Sequence, residues 1–165
     1  MTSSVSRFEV WKTLHLGSGP QTGQEFLRAL KQAGCRVGRN AESMVGQDDF
    51  TVATKKSNVD LVIVTTVELD SKNRVTFEKI CRFAMEHGLK LCSPEVGPLL
   101  RLQYQDEPLG EWFMIAMEQI TNLGRPPSVF RVGRNGGGLW LRSWCGHPDY
   151  FRRANNPWIF VKPRK

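Results

Sequence analysis

The sequence VDLVIVTTVEL, residues 59–69, is the strongest indication of the fold. It is a nearly continuous apolar and β-branched run, which predicts a central strand covered on both faces. From Thr76 to His87 the apolar side chains recur at helical spacing, and Leu89 to Cys92 then resumes a strand pattern. Such a strand–helix–strand unit predicts a crossover between parallel strands.

The residues before this unit add one clear strand and one clear helix. Phe8 to Leu16 is rich in β-formers and is closed by the breaker cluster 17–20. A helix is predicted from Thr22 to a stop at Gly34. Asn40 to Val45 is consistent with a short second helix, and Phe50 to Ala53 with a short strand.

After Ser93 prolines punctuate the chain and the pattern changes to short strands, with one helical turn near Leu99 to Gln103. The predicted strands are Glu111 to Ile120, Ser128 to Arg134, Leu139 to Trp144 and Trp158 to Val161. We therefore predict an α+β fold, a mixed β-sheet with two main helices in residues 1–93 and antiparallel hairpins in residues 94–165. No linker or repeat separates these parts, so residues 1–165 are predicted to form a single domain.

Composition narrows the class of protein. The chain has 165 residues, of which 40% are hydrophobic and 24% charged, values typical of globular proteins. No stretch reaches the roughly 20 apolar residues of a membrane helix, and no signal-peptide pattern begins the chain. We expect a cytoplasmic protein that does not cross a membrane.

The net charge of +7 is unevenly distributed: residues 1–98 carry 13 basic and 11 acidic side chains, and residues 99–165 carry 10 and 5. The basic excess makes nucleic acid or an acidic protein the expected partner. The tail from Lys162 to Lys165 belongs to this excess. The four cysteines form no C-x-x-C pair, so we expect neither a metal nor a cofactor.

The most informative local feature is the predicted hairpin Val129 to Trp144, with its turn at Asn135-Gly-Gly-Gly138. In the favoured register Arg131 lies opposite Arg142, and Trp140 lies opposite Gly133, where an indole can cross the neighbouring strand. Two arginines that face each other are unfavourable unless an anion lies over them. The candidate ligand-binding residues are Arg131, Arg134, Trp140, Arg142 and Trp144.

Two interpretations of this hairpin are open. Arginines interleaved with tryptophans suit single-stranded nucleic acid, because bases stack on rings while guanidinium groups hold phosphates. Alternatively, a neighbouring loop buries the tryptophans, and the arginines pair with Glu111, Glu118 or Asp149.

An enzymatic alternative uses Glu95 and Glu111, which flank a proline-rich stretch, together with Arg101 in a cleft. No Ser-His-Asp order, H-E-x-x-H or G-x-S-x-G motif occurs. No catalytic residue is therefore assigned, and a binding module is favoured over a small hydrolase or transferase.

Leu91 to Tyr104, followed by Pro108 to Trp112, resembles a segment shared by a group of small uncharacterised bacterial proteins. Val10 to Thr13 and Gly17 to Gly19 resemble the start of those proteins. The resemblance implies a bacterial origin and brings no activity, ligand or partner with it. The leading hypothesis is thus a non-enzymatic module for nucleic acid or another polyanion, and its first rival is a protein-interaction or inhibitor/immunity-like factor of a bacterial mobile element.

Overall fold

The central strand predicted for residues 59–69 is present as far as Thr65 in the computed structural model, which describes residues 8–65, 76–121, 126–145 and 157–164. Residues 66–69 of that prediction lie outside the described residues. Within those residues the chain forms four helices and seven strands, and the α+β class is confirmed. In chain order they are β1 (Lys12–Leu16), α1 (Gly23–Gln32), β2 (Arg36–Val37), α2 (Arg39–Val45), β3 (Ser57–Thr65), α3 (Phe77–Glu86), α4 (Val96–Gln103), β4 (Trp112–Ile115), β5 (Ser128–Asn135), β6 (Gly138–Cys145) and β7 (Pro157–Lys162).

The seven described strands belong to one mixed sheet in the order β1-β3-β7-β4-β5-β6-β2. β3 pairs antiparallel with β1 on one side and with β7 on the other. Its residues Leu61, Val62 and Val64 are fully buried, as expected for a strand covered on both faces. Since β7 lies between β3 and β4, strands from both parts of the sequence share the sheet.

The two predicted main helices begin at side-chain caps. Thr22 accepts a hydrogen bond from the Glu25 amide at the start of α1, and Thr76 accepts one from the Lys79 amide at the start of α3. These caps satisfy amides that have no partner within the helix. Each helix then buries one apolar stripe: Phe26 and Leu30 in α1, and Phe77, Ile80 and Ala84 in α3.

The strand–helix–strand prediction is partly wrong. Residues 89–92 form only isolated bridges, from Lys90 to Val161 and from Cys92 to Met117. The bridge at Lys90 and the strand β3 are both antiparallel to β7. Residues 89–92 therefore run in the same direction as β3, and β7 lies between the two segments. The predicted strand Phe50 to Ala53 is absent.

The C-terminal part contains a full helix where one turn was predicted. α4 packs against β5, and Gly97 makes this possible, because a Cβ atom there would lie 2.7 Å from the Cβ atom of Phe130. Phe130 in turn contacts Phe50, which contacts Phe26 of α1. Helices α1, α2 and α4 therefore cover the sheet face that carries Phe130, whereas α3 lies on the opposite face, where Phe77 contacts Trp144 and Trp158.

In the described part of the chain, every helix is too short or too polar to cross a membrane.

Candidate polyanion-binding face

The hairpin formed by β5 and β6 has the predicted register. Arg131 pairs with Arg142, Gly133 with Trp140, and Val129 with Trp144. Side chains alternate between the two faces of a strand, so these residues share the face opposite Phe130. The turn is held by Asn135, whose Oδ1 accepts hydrogen bonds from the Gly137 amide at 2.8 Å and from Trp140 Nε1 at 2.9 Å.

A tryptophan from a third strand joins this face. Trp112 of β4 lies directly opposite Gly133, and a Cβ atom on Gly133 would lie 2.0 Å from the Trp112 ring. The indole that crosses Gly133 is therefore that of Trp112, and the prediction that Trp140 does so is wrong. Trp140 turns toward Asn135 instead, because its Nε1 donates to that side chain.

The guanidinium groups lie over these two rings. The Arg131 Cζ atom is 4.3 Å from the centre of the Trp112 ring, and the Arg142 Cζ atom is 4.1 Å from that of Trp140 and 5.4 Å from that of Trp112. Arg36, which pairs with Trp140 from β2, places its Cζ atom 5.6 Å from the Trp140 ring. These distances are those of cation–π contacts. We call Arg36, Trp112, Arg131, Trp140 and Arg142 the Arg/Trp face.

The three positive charges of the Arg/Trp face have no acidic partner among the described residues. None of Arg36, Arg131 and Arg142 forms an ion pair or hydrogen bond with a described carboxylate. The Nε atom of Arg131 is buried without a hydrogen-bond partner. Burial, followed by the nearby charge of Arg142, lowers the pKa of Arg131. Among the described residues, the guanidinium groups of Arg131 and Arg142 thus repel each other with no negative charge between them.

Of the three carboxylates predicted as neutralising partners, neither Glu111 nor Glu118 pairs with an arginine of the Arg/Trp face in the described part of the structure. Glu111 accepts a hydrogen bond from the Tyr104 hydroxyl at 2.5 Å. Glu118 lines a groove of about 610 Å³ together with Asp48 and Asp49, and that groove shares no residue with the Arg/Trp face. Asp149 lies outside the described residues.

Two of the five predicted ligand residues lie in other environments. Trp144 is half-buried in an aromatic cluster, with its ring centre 5.5 Å from that of Trp158 and 6.4 Å from that of Phe77. Arg134 extends from the other face of β5 and donates from Nη1 to the backbone oxygen of Glu107 at 2.9 Å. The structure therefore brings together Arg131, Trp140 and Arg142 of the predicted set.

The basic tail is also engaged within the chain. Lys162 Nζ donates to the backbone oxygen of Phe8 at 2.7 Å. Arg164 donates from Nε and Nη2 to the two carboxylate oxygens of Asp60, each at 2.9 Å, and these bonds lower the pKa of Asp60. Both side chains thus form bonds within the chain at the β1–β3–β7 end of the sheet.

The residues of the enzymatic alternative, Glu95, Arg101 and Glu111, are each bonded to other parts of the described chain. Glu95 is buried and accepts a hydrogen bond from the Ala53 amide at 2.8 Å, and burial raises its pKa. Arg101 is wholly buried. Glu111 is held by Tyr104, and burial, followed by the hydrogen bond to Glu111, raises the pKa of Tyr104.

Arg101 has an elaborate set of partners on the α4 side of the hairpin. Its Nη1 lies 2.7 Å from Glu107 Oε1, in an ion pair whose side chains are both inaccessible. The same Nη1 donates to the backbone oxygens of Gly133 and Trp140 at 3.1 and 3.4 Å, and Nη2 donates to that of Tyr104. Burial raises the pKa of Glu107 although Arg101 opposes the shift. Arg101 thus connects α4 to the hairpin backbone.

Sequence reasoning missed Arg36, Trp112 and Glu107. Trp112 and Arg36 reach the face only through the pairing of β4 with β5 and of β2 with β6. One signal was available for Trp112, since a glycine within a strand often marks the close approach of another group. In the described ranges, no group of three or more His, Cys, Asp or Glu side chains is arranged to hold a metal ion.

Compared with known proteins, the chain matches no family model, no curated protein and no solved structure.

Proposed function

We propose that this chain is a binding module that holds single-stranded nucleic acid on the Arg/Trp face. The observation that carries the proposal is the direct pairing of Arg131 with Arg142 on neighbouring strands, with no described carboxylate bound to either. A facing like-charge pair destabilises a sheet, and a bound phosphate would relieve it. Arg36 adds a third positive charge beside Trp140, its neighbour on the adjacent strand.

The surrounding structure supports a preformed site. The Arg/Trp face is built on four adjacent strands, β4-β5-β6-β2, and not on loops. Its indoles are positioned by Gly133 and Asn135, and its guanidinium groups lie against those indoles. Stacked guanidinium groups keep their edge N–H groups available for oxyanions, so little ordering is needed when the ligand binds.

The test measures binding of fluorescein-labelled dT20 and U20 by anisotropy from 50 to 200 mM NaCl. We expect the double variant Arg131→Ala/Arg142→Ala to lower affinity at least tenfold. Each neutralised phosphate contributes about 0.7 to the slope of log K against log salt for single strands, so the slope should fall by about 1.4.

The matched control is Arg28→Ala/Arg82→Ala, which removes the same charge from exposed positions on α1 and α3. It should retain affinity within about twofold of the unmodified chain. If neither dT20 nor U20 binds at 50 mM NaCl, the proposal is refuted.

A further inference from the structure

We infer that the Arg/Trp face binds the phosphodiester backbone of the strand and does not stack its bases. This inference rests on the proposed function and makes it more specific. It contradicts the simplest interpretation of interleaved arginines and tryptophans, in which rings take bases and guanidinium groups take phosphates.

The first argument concerns Trp112. One side of its indole rests on Gly133, because a Cβ atom there would lie 2.0 Å from the ring. The Arg131 Cζ atom lies 4.3 Å from the ring centre, and that of Arg142 lies 5.4 Å from it. A base could stack on Trp112 only if these guanidinium groups moved away.

Trp140 is equally engaged. The guanidinium groups of Arg142 and Arg36 approach its ring at 4.1 and 5.6 Å, and its Nε1 donates to Asn135. Turning the indole outward to receive a base would break this hydrogen bond and both guanidinium contacts. Both rings of the Arg/Trp face thus serve to orient arginines.

The oriented groups have donors to offer. Arg131 and Arg142 make no hydrogen bond to a described carboxylate, and of the Arg131 nitrogens only Nε is buried without a partner. A guanidinium held by its flat face presents its N–H edge, and that edge matches two oxygens of a phosphate. The face is therefore suited to phosphate groups and indifferent to base identity.

The experiment compares three ligands of equal length at 50 mM NaCl: dT10, a ten-unit abasic tetrahydrofuran oligonucleotide with the same phosphodiester count, and a ten-residue polyglutamate. We expect the abasic ligand to bind within about threefold of dT10. Base stacking on an aromatic side chain contributes about five- to 150-fold per base, so loss of even one stacked base would exceed that margin.

The outcomes separate the two claims. Binding of dT10 that depends on Arg131 and Arg142, together with a loss of more than about threefold for the abasic ligand, overturns the inference and leaves the proposed function standing. Binding of polyglutamate alone overturns both and points to an acidic protein. Binding of none of the three also overturns both.

A conservative variant tests the geometry directly. Arg131→Lys/Arg142→Lys keeps the charge but replaces planar forks by point charges. We expect it to bind the abasic ligand at least fivefold more weakly than the unmodified chain, with an unchanged circular dichroism spectrum. Equal binding by the lysine variant would show that net charge alone holds the strand and would overturn the role of the oriented guanidinium groups.

Discussion

Arg101 and Arg131 lie on opposite faces of the same hairpin, and different groups surround their guanidinium groups. Arg101 is inaccessible, and its guanidinium contacts Glu107 and three backbone oxygens. Arg131 is half-buried, lies over Trp112 and faces another arginine. Both burial and partners therefore differ between the two: Arg101 is enclosed with a carboxylate and backbone oxygens, whereas Arg131 is half-buried beside an indole and a second positive charge.

The largest expected effect is on the free energy of unfolding when Arg101 is replaced. Arg101→Met leaves the Glu107 carboxylate buried without its partner and should cost about 3–5 kcal/mol of the free energy of unfolding, measured by urea denaturation. Arg82→Met, which breaks an exposed pair with Glu78, should cost less than about 1 kcal/mol.

The double variant Arg101→Met/Glu107→Leu should recover part of that loss, because it removes the orphaned carboxylate as well. A cost below about 1 kcal/mol for Arg101→Met alone would show that the ion pair with Glu107 does not stabilise the fold, and Arg101 would no longer differ from Arg131 in this respect.

The next effect concerns the support of the Arg/Trp face. Gly133→Ala places a methyl group in the position of the Trp112 ring and should cost about 1–3 kcal/mol through overpacking. A change in tryptophan emission should accompany it. Gly136→Ala in the same hairpin meets open space and should change stability by less than about 0.5 kcal/mol; equal effects of the two variants would argue against the contact.

A smaller effect of opposite sign is expected at Arg131. Arg131→Met removes the like-charge pair with Arg142 and should stabilise the free protein by up to about 1 kcal/mol, with the lost contact to Trp112 limiting the gain. Added NaCl should narrow the difference, since salt screens the repulsion. Destabilisation by more than about 1 kcal/mol would place Arg131 with Arg101 among the structural arginines.

The smallest expected effect is a change in pH dependence on the α4 side. Burial raises the pKa of Glu95 above its ordinary value of 4.5. Between pH 4.5 and the raised pKa, the folded chain therefore holds more protons than the unfolded chain. The free energy of unfolding falls as the pH rises through this range. Glu95→Gln keeps an oxygen for the Ala53 amide and should reduce this fall, measured as thermal midpoints from pH 4 to 8.

Two features of this pH test make it specific. Glu107, whose pKa burial also raises, should preserve part of the fall in the Glu95→Gln variant. Glu86→Gln at an exposed position of α3 serves as the control. An identical pH profile for Glu95→Gln and the unmodified chain would contradict the assignment.

The local parts of the fold could be predicted because local chemistry specifies them. Thr22 and Thr76 cap the main helices, and the alternation around the Asn135–Gly138 turn sets the hairpin register. Residues 89–92 were mispredicted as a strand because a short apolar run fits a strand or a single bridge equally well. The site was only partly predictable: Arg131, Trp140 and Arg142 are hairpin neighbours, whereas Trp112 and Arg36 arrive from other strands.

Residues close together in the chain were therefore enough to predict the α+β class, the two main helices and the opposition of Arg131 to Arg142. The tertiary structure adds that Trp112 lies on Gly133, that β7 joins the two parts of the sheet, and that Arg101 pairs with Glu107 while no described carboxylate pairs with Arg131. Those outcomes depend on which strands and helices meet across long stretches of chain. Local patterns of side chains do not encode that pairing.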